Sequence, residues 1–214
     1  MTTNTSRRLP TFQLETALHL NGYAFVAGCD EAGRGAICGP VVAAAVILAP
    51  LNIPLGIDDS KRLSPKRRLS LFHYIHETST VGIAVADHHR VDRDNVLQAS
   101  LWAMSEAVAQ LRPAPEYVLV DGPFGITPDR PNRPIIAGDT LSLSIAAASI
   151  IAKVHRDNLM EAFARTFPGY ALARNMGYGT PEHLTALQAI GPSAVHRSSC
   201  LPVRLSRRLS AHMP

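Results

Sequence analysis

The chain has 214 residues, of which 46% are hydrophobic and 18% charged, with a formal net charge of +4. That is enough apolar surface for one cored domain with at most a small appendage, which excludes a wholly disordered chain. The longest apolar run, from Val41 to Pro50, is too short to span a bilayer, so no membrane partner is expected.

The first residues, Met1 to Pro10, lack the apolar core of a signal peptide, and residues 1–20 are expected to be a leader. Tyr23 to Gly28 reads as a short strand bounded by Asn21-Gly22. Val41 to Leu48 is a β-branched apolar run that stops at Pro50, which fits a buried strand. Ser64-Pro65 starts a helix with a serine cap and proline in its first turn. Thr80 to Ala86 is a further strand. Leu97, Leu101, Met104, Val108 and Leu111 recur at helical spacing and form one buried stripe. Tyr117 to Val120 is a strand that runs into Asp121. Residues 122–134 are crowded with glycine and proline and read as a loop, with one more short strand expected at Ile135 to Ala137. Ser142 to Phe167 is a long helix whose slim beginning, Ile145 to Ser149, lets it lie close on a sheet. A last helix follows Thr180-Pro181. Strands alternating with helices predict an α/β domain with a mixed sheet over residues 21–192. From 193 to 214 four arginines (Arg197, Arg204, Arg207, Arg208) meet no acid, so this expected tail accounts for the whole net charge. It suits a polyanionic partner or a solvated end equally well. Three cysteines, Cys29, Cys38 and Cys200, form no CxxC pair, which predicts a reducing, cytoplasmic setting.

The chemistry concentrates in acids at strand ends. Gly28-Cys29-Asp30-Glu31-Ala32-Gly33-Arg34-Gly35 puts two adjacent carboxylates where a strand stops. Neighbours on a strand face opposite ways, so Asp30 and Glu31 are expected to share a site only if the backbone bends there. An acidic turn is the plain alternative. A dinucleotide fingerprint on Gly33 and Gly35 is not supported, because a strand follows where that motif needs a helix. Asp121 ends a second strand. Asp139 precedes the long helix, where it could serve only as a charge favoured by the helix dipole. Acids at the ends of several strands suit hard cations: two such ions can activate a water and stabilise a leaving oxygen in phosphodiester cleavage. Zinc spacing and a phosphate-binding glycine loop are both missing from the sequence.

These segments, in order, resemble bacterial ribonuclease HII. The resemblance is carried by Asp30-Glu31-Ala32-Gly33-Arg34-Gly35, Asp58-Asp59-Ser60-Lys61, Val120-Asp121-Gly122, Gly138-Asp139, the run from Ser144 to Asp157, and Gly177-Tyr178-Gly179-Thr180 with His183. It implies a ribonuclease H-like fold: a mixed central sheet flanked by helices, with a helical C-terminal extension. It implies an endonuclease that cuts the RNA strand of RNA–DNA hybrids and incises 5′ of ribonucleotides embedded in duplex DNA, leaving 5′-phosphate and 3′-hydroxyl ends. Asp30, Glu31, Asp121 and Asp139 would be the catalytic acids, the first three holding Mn²⁺ or Mg²⁺. Gly33, Arg34, Gly35 and Tyr178 would read the ribonucleotide junction, with Ser60 and Lys61 near the phosphates; a surface turn is the plain alternative for that last pair. A monomer is expected. A hybrid-binding module without turnover is the competing function. The chain departs from the family at Asn175-Met176, where His-Lys is usual, and at Ser198-Ser199-Cys200, where Arg-Ser-Phe is usual. Both departures put affinity for the hybrid, rather than cleavage, in question.

Overall fold

The computed structural model of the chain describes residues 9–126 and 129–210. The first eight residues of the expected leader, Pro128 of the expected loop, the side chain of Arg208 and the last four residues of the expected tail lie outside the described residues.

In chain order the elements are α1 (Gln13–Leu20), β1 (Val26–Ala32), β2 (Val41–Ile47), α2 (Pro65–Thr78), β3 (Thr80–Ala86), α3 (His88–Asp94), α4 (Val96–Ala109), β4 (Tyr117–Asp121) and β5 (Asn132–Ile135). A single 3₁₀ turn, Gly138–Thr140, leads into α5 (Leu143–Thr166), followed by α6 (Leu172–Asn175), α7 (Pro181–Ile190) and α8 (Leu201–Ser210). The five strands form one sheet in the order β3-β2-β1-β4-β5. β1, β2 and β3 pair antiparallel, whereas β4 and β5 run parallel to β1. The mixed α/β sheet is therefore as expected, with the last strand starting inside the expected loop, at Asn132 rather than Ile135.

Caps set the helix starts. Ser64 Oγ accepts from Arg67 N before α2, Asn95 accepts from Leu97 N and Gln98 N before α4, and Thr180 accepts from His183 N before α7. α5 carries a double cap. Ser142 Oγ accepts from Ile145 N at 3.1 Å, and the Glu15 carboxylate accepts from Ser142 Oγ and from Ser144 N. Residues 13–20, expected in the leader, thus form a helix whose one buried acid caps the central helix, with Leu14 and Leu18 packed against Val26, Leu119 and Ile145.

β2 is buried on both faces, which is why it reads as a continuous apolar run. Ala43 and Ala45 pack against Ala99, Ala103 and Ala107 of α4. Ala44 and Val46 pack against Ala147, Ile150 and Ile151 of α5 and Leu71 and Ile75 of α2. The small residues keep both helices close to the sheet: at Gly28 of β1 a Cβ would overlap the backbone of Ser144, and at Gly82 of β3 it would overlap the carbonyl of Ala107. A third core gathers Ile37, Cys38, Met160, Tyr170, Leu187, Val195 and Val203. It draws residues 193–206 into the body of the protein, so the segment expected as a tail is folded there and Arg197 is 1% exposed.

Candidate active site

β1 and β4 are parallel neighbours paired from Val26↔Tyr117 to Cys29↔Val120. The next residue on each strand is an acid, Asp30 and Asp121, so the two carboxylates emerge side by side where the strands part. β1 stays paired to β2 as far as Ala32↔Val42, so the bend expected between Asp30 and Glu31 does not interrupt the ladder. Their partners Ala44 and Ala43 belong to opposite faces. Both acids nonetheless line one cavity of about 540 Å³, beyond the point where β1 and β4 stop pairing.

That cavity collects most of the residues singled out from the sequence: Asp30, Glu31, Gly33, Arg34, Gly35, Ser60, Lys61, Asp121 and Tyr178. Asp139 is not among its lining. It sits 8% exposed on the 3₁₀ turn, and the backbone N–H of the preceding Gly138 donates to Asp121 Oδ1 at 2.7 Å. Ser149 and Lys153 also line the cavity and were missed. They lie one helical turn apart on α5, so their spacing within the run from Ser144 to Asp157 was the available signal. A larger groove of about 620 Å³ between Leu9, Ile53, Leu55 and Leu143 is mostly apolar, so volume alone does not locate the chemistry here.

Electrostatics single out the acids. Burial, then the charges of Glu31, Asp121 and Asp139, push the Asp30 carboxyl well above the usual carboxylate range. Burial also raises Glu31, although Arg34 Nη1, donating to its Oε1 at 3.2 Å, pulls it back. Asp139 is raised by burial and by Asp59 and Asp121, with Lys61 and Arg62 opposing. Lys61 feels burial against its charge, but Asp59, Asp139, Asp30 and Asp121 outweigh it and raise its pKa. Glu31 Oε2 is buried and accepts no hydrogen bond. An orphaned carboxylate oxygen among acids that resist ionisation is the signature of a place for a positive charge. An all-oxygen donor set fits a hard divalent cation. Among the described residues no three carboxylate, imidazole or thiol groups stand close enough together to hold a metal ion as placed.

The cavity wall is held by two arginines that, among the described residues, form no ion pair with an acid. Arg156 of α5 donates to the carbonyls of Pro40, Met176 and Cys38 at 2.9, 2.8 and 3.2 Å. Arg197 donates to those of Gly39, Arg34, Ala36 and Gly33 at 2.9, 3.0, 2.7 and 2.8 Å. Burial, and then Arg156, lower the Arg197 pKa to about 10, so it stays charged at neutral pH. Six of these seven bonds fix the loop from Gly33 to Pro40, and the seventh holds Met176 beside it. Gly33 has φ +96°, and a Cβ there would overlap Arg156 Nε and stand 2.7 Å from Pro40 O, so its missing side chain makes room for Arg156. At Gly35, which is exposed and lines the cavity, an added Cβ would meet only Tyr178 Cε1, at 3.9 Å. Arg68 pins the Ser60 loop, donating to Ser60 O at 2.8 Å and Leu63 O at 3.0 Å.

The unusual residues have structural partners. Asn175 donates to Tyr170 O at 2.7 Å and accepts from Gly177 N at 2.9 Å, shaping the turn before Tyr178. Ser198 and Ser199 each donate N–H and hydroxyl to Asp92, whose pKa falls as those bonds outweigh its burial. Cys200 packs at the margin of the third core.

The ribonuclease HII family profile matches residues 27–200. A ribonuclease HII of Bradyrhizobium sp. is 55% identical over 205 residues, covering 96% of this chain and 70% of that protein. Among solved structures, ribonuclease H2 from Pyrococcus horikoshii OT3 superposes with a TM-score of 0.73 at 22% identity, covering 88% of this chain and 100% of that one. Bst-RNase HIII in complex with Mn²⁺ superposes with a TM-score of 0.68 at 21% identity, covering 92% and 73%. These two show a shared fold.

Proposed function

The chain belongs to the ribonuclease HII family and is an endonuclease acting on the RNA of RNA–DNA hybrids; within that activity we propose that Asp30, Glu31, Asp121 and Asp139 are its catalytic acids and that it also incises 5′ of ribonucleotides embedded in duplex DNA. The observation that carries this reading is the emergence of Asp30 and Asp121 from adjacent parallel strands into the cavity that holds Glu31, Lys61 and Tyr178. Nothing in the intact acid set favours a hybrid-binding module without turnover.

Asp30, Glu31 and Asp121 would hold Mn²⁺ or Mg²⁺, with Glu31 Oε2 as a donor already stripped of other partners. Such a cation, when bound, supplies Lewis-acid polarisation of the phosphate and lowers the cost of deprotonating water. The chain's own residues place the substrate. Lys61 and Lys153 meet phosphate oxygens at the cavity wall, while the Gly35 backbone approaches the ribose 2′-hydroxyl, the group that separates RNA from DNA. The Tyr178 ring, 37% exposed, stacks on the neighbouring nucleotide. Water's oxygen forms the new bond to phosphorus and the bond to the 3′ oxygen breaks. Water's proton ends on that oxygen, giving 5′-phosphate and 3′-hydroxyl products.

We assign the protein to the cytoplasm as a monomer. Its three cysteines are free, and among the described residues no helix is long and apolar enough to cross a membrane.

The test is cleavage mapping on a DNA duplex with one ribonucleotide and on a continuous RNA–DNA hybrid, with each ion in turn. Incision 5′ of the single ribonucleotide is expected. Tyr178→Ala should lower kcat/KM on that duplex roughly tenfold more than on the hybrid, within the ~1–3 kcal/mol of one base–aromatic stack. Equal losses on both substrates would remove Tyr178 from junction recognition.

A further inference from the structure

Two buried imidazoles stand behind the cavity wall. His183, in the first turn of α7, and His196, between α7 and α8, approach Nε2 to Nε2 at 3.0 Å and are 0% and 2% exposed. Their partners fix every ring hydrogen. His183 Nδ1 lies 2.9 Å from the Tyr178 carbonyl oxygen, which can only accept, so Nδ1 carries the hydrogen. His183 Nε2 is then a lone pair and accepts from His196 Nε2–H. His196 Nδ1 is left as an acceptor, and Ser193 supplies its backbone N–H at 3.0 Å and its hydroxyl at 2.8 Å. Both rings are neutral and every ring nitrogen is bonded in one direction, from Ser193 to the Tyr178 backbone. Burial holds both imidazoles below their ordinary pKa, His196 at about 4. Tyr170 closes the arrangement, its ring centroid 4.8 Å from that of His196.

Burying two imidazoles costs desolvation that apolar side chains would avoid. The chain of bonds ends at the Tyr178 carbonyl oxygen, which also accepts from Thr180 N–H at 2.8 Å. Glycines flank Tyr178 on both sides, Gly177 has φ +80°, and Met176 before it has φ +50°. Tyr178 N–H donates to Asn175 O at 2.9 Å within its own turn, and the relay and a bridge to Ala36 tie that turn to the rest of the protein.

We propose that His196, acting through His183, is a positioning residue for Tyr178, and that this relay sets the preference for an isolated ribonucleotide over a continuous RNA strand. This rests on the junction role assigned to Tyr178 above.

The readout is the ratio of kcat/KM on a single-ribonucleotide duplex to kcat/KM on a continuous hybrid. A loss of folded protein lowers both activities together and leaves this ratio unchanged. His196→Asn keeps an acceptor for Ser193 but cannot reach His183, whereas the longer amide of His196→Gln can donate to His183 Nε2. The expected result is a fall in the ratio of about threefold to tenfold for His196→Asn, as a part of the stacking contribution. His196→Gln should restore most of it, and adding His196→Asn to Tyr178→Ala should produce no further fall. If His196→Asn does not fold, Ser193→Ala, which removes one donor at the far end, should move the ratio the same way by less. An unchanged ratio in these variants while Tyr178→Ala lowers it, or losses that add fully, would overturn the relay and leave the Tyr178 reading standing. An unchanged ratio in Tyr178→Ala would overturn that reading and the relay with it.

Discussion

Asp30 is enclosed beside Glu31 and Asp121, and without a counter-ion its negative charge works against the fold. Its carboxyl is raised above the unfolded value, so the folded state binds the proton more tightly. Stability is therefore lost as pH rises from about 4 through the raised value, the reverse of a salt-bridged acid. Asp30→Asn should abolish turnover, by more than the ~10–100-fold that outer-shell changes cost a metal site. It should also melt higher than the parent without divalent ions, with a gap that widens as pH rises above about 4. Differential scanning calorimetry across pH checks this, and a gap of constant size would show that the charge of Asp30 is not the cause. Asp121→Asn should likewise abolish turnover while the far-ultraviolet circular dichroism stays unchanged.

At the scale of elements, two features set the position of the site. The first is the close seating of α5 on β1. Gly28→Ala forces a methyl against the backbone of Ser144, which cannot swing away as a side chain could, so a cost at or above the ~1–3 kcal/mol of ordinary overpacking is expected. Urea unfolding measures it, and a loss under ~1 kcal/mol would mean that α5 can retreat. The second is the arginine clamp. Arg197→Lys keeps the charge but replaces a rigid fork by a point donor, leaving some of the carbonyls of Gly33, Arg34, Ala36 and Gly39 without a partner. At ~1–3 kcal/mol for each buried group left unpaired, a loss of more than ~2 kcal/mol in the same urea experiment is expected.

For the whole molecule, the balance of charge changes with its folding and its ions. Arg197 is buried against carbonyls, whereas Arg204 and Arg207 on α8 are exposed, so the basic C-terminal segment presents less charge to a duplex than its sequence suggests. A divalent ion held among the acids would offset their repulsion and tie binding to stability. At a hundredfold excess over its dissociation constant, Mn²⁺ or Mg²⁺ should add about 2.7 kcal/mol. A thermal melt with and without each ion checks this, and Asp30→Asn should shrink the response. Contacts to phosphate through lysines should also make KM rise steeply with salt.

The sequence by itself determined the types of β1 to β4, α2, α4, α5 and α7, the burial of β2 and the presence of acids at the strand ends. Those signals are local: hydrophobic period, capping residues and motif order survive in a linear string. It also held the slim start of α5, from Ile145 to Ser149, that lets the helix lie on the sheet. Only the tertiary structure decided that Glu15 caps α5, that β5 starts at Asn132, and that Ser149 and Lys153 face the cavity. It likewise decided that Asp139 is not part of the lining, that the missing side chain of Gly33 admits Arg156, and that Arg197 holds the loop that begins at Gly33. These are contacts between residues as far apart as Gly33 and Arg197. Their partners are mostly backbone carbonyls and ring nitrogens, which have no residue identity to read until the chain has folded around them.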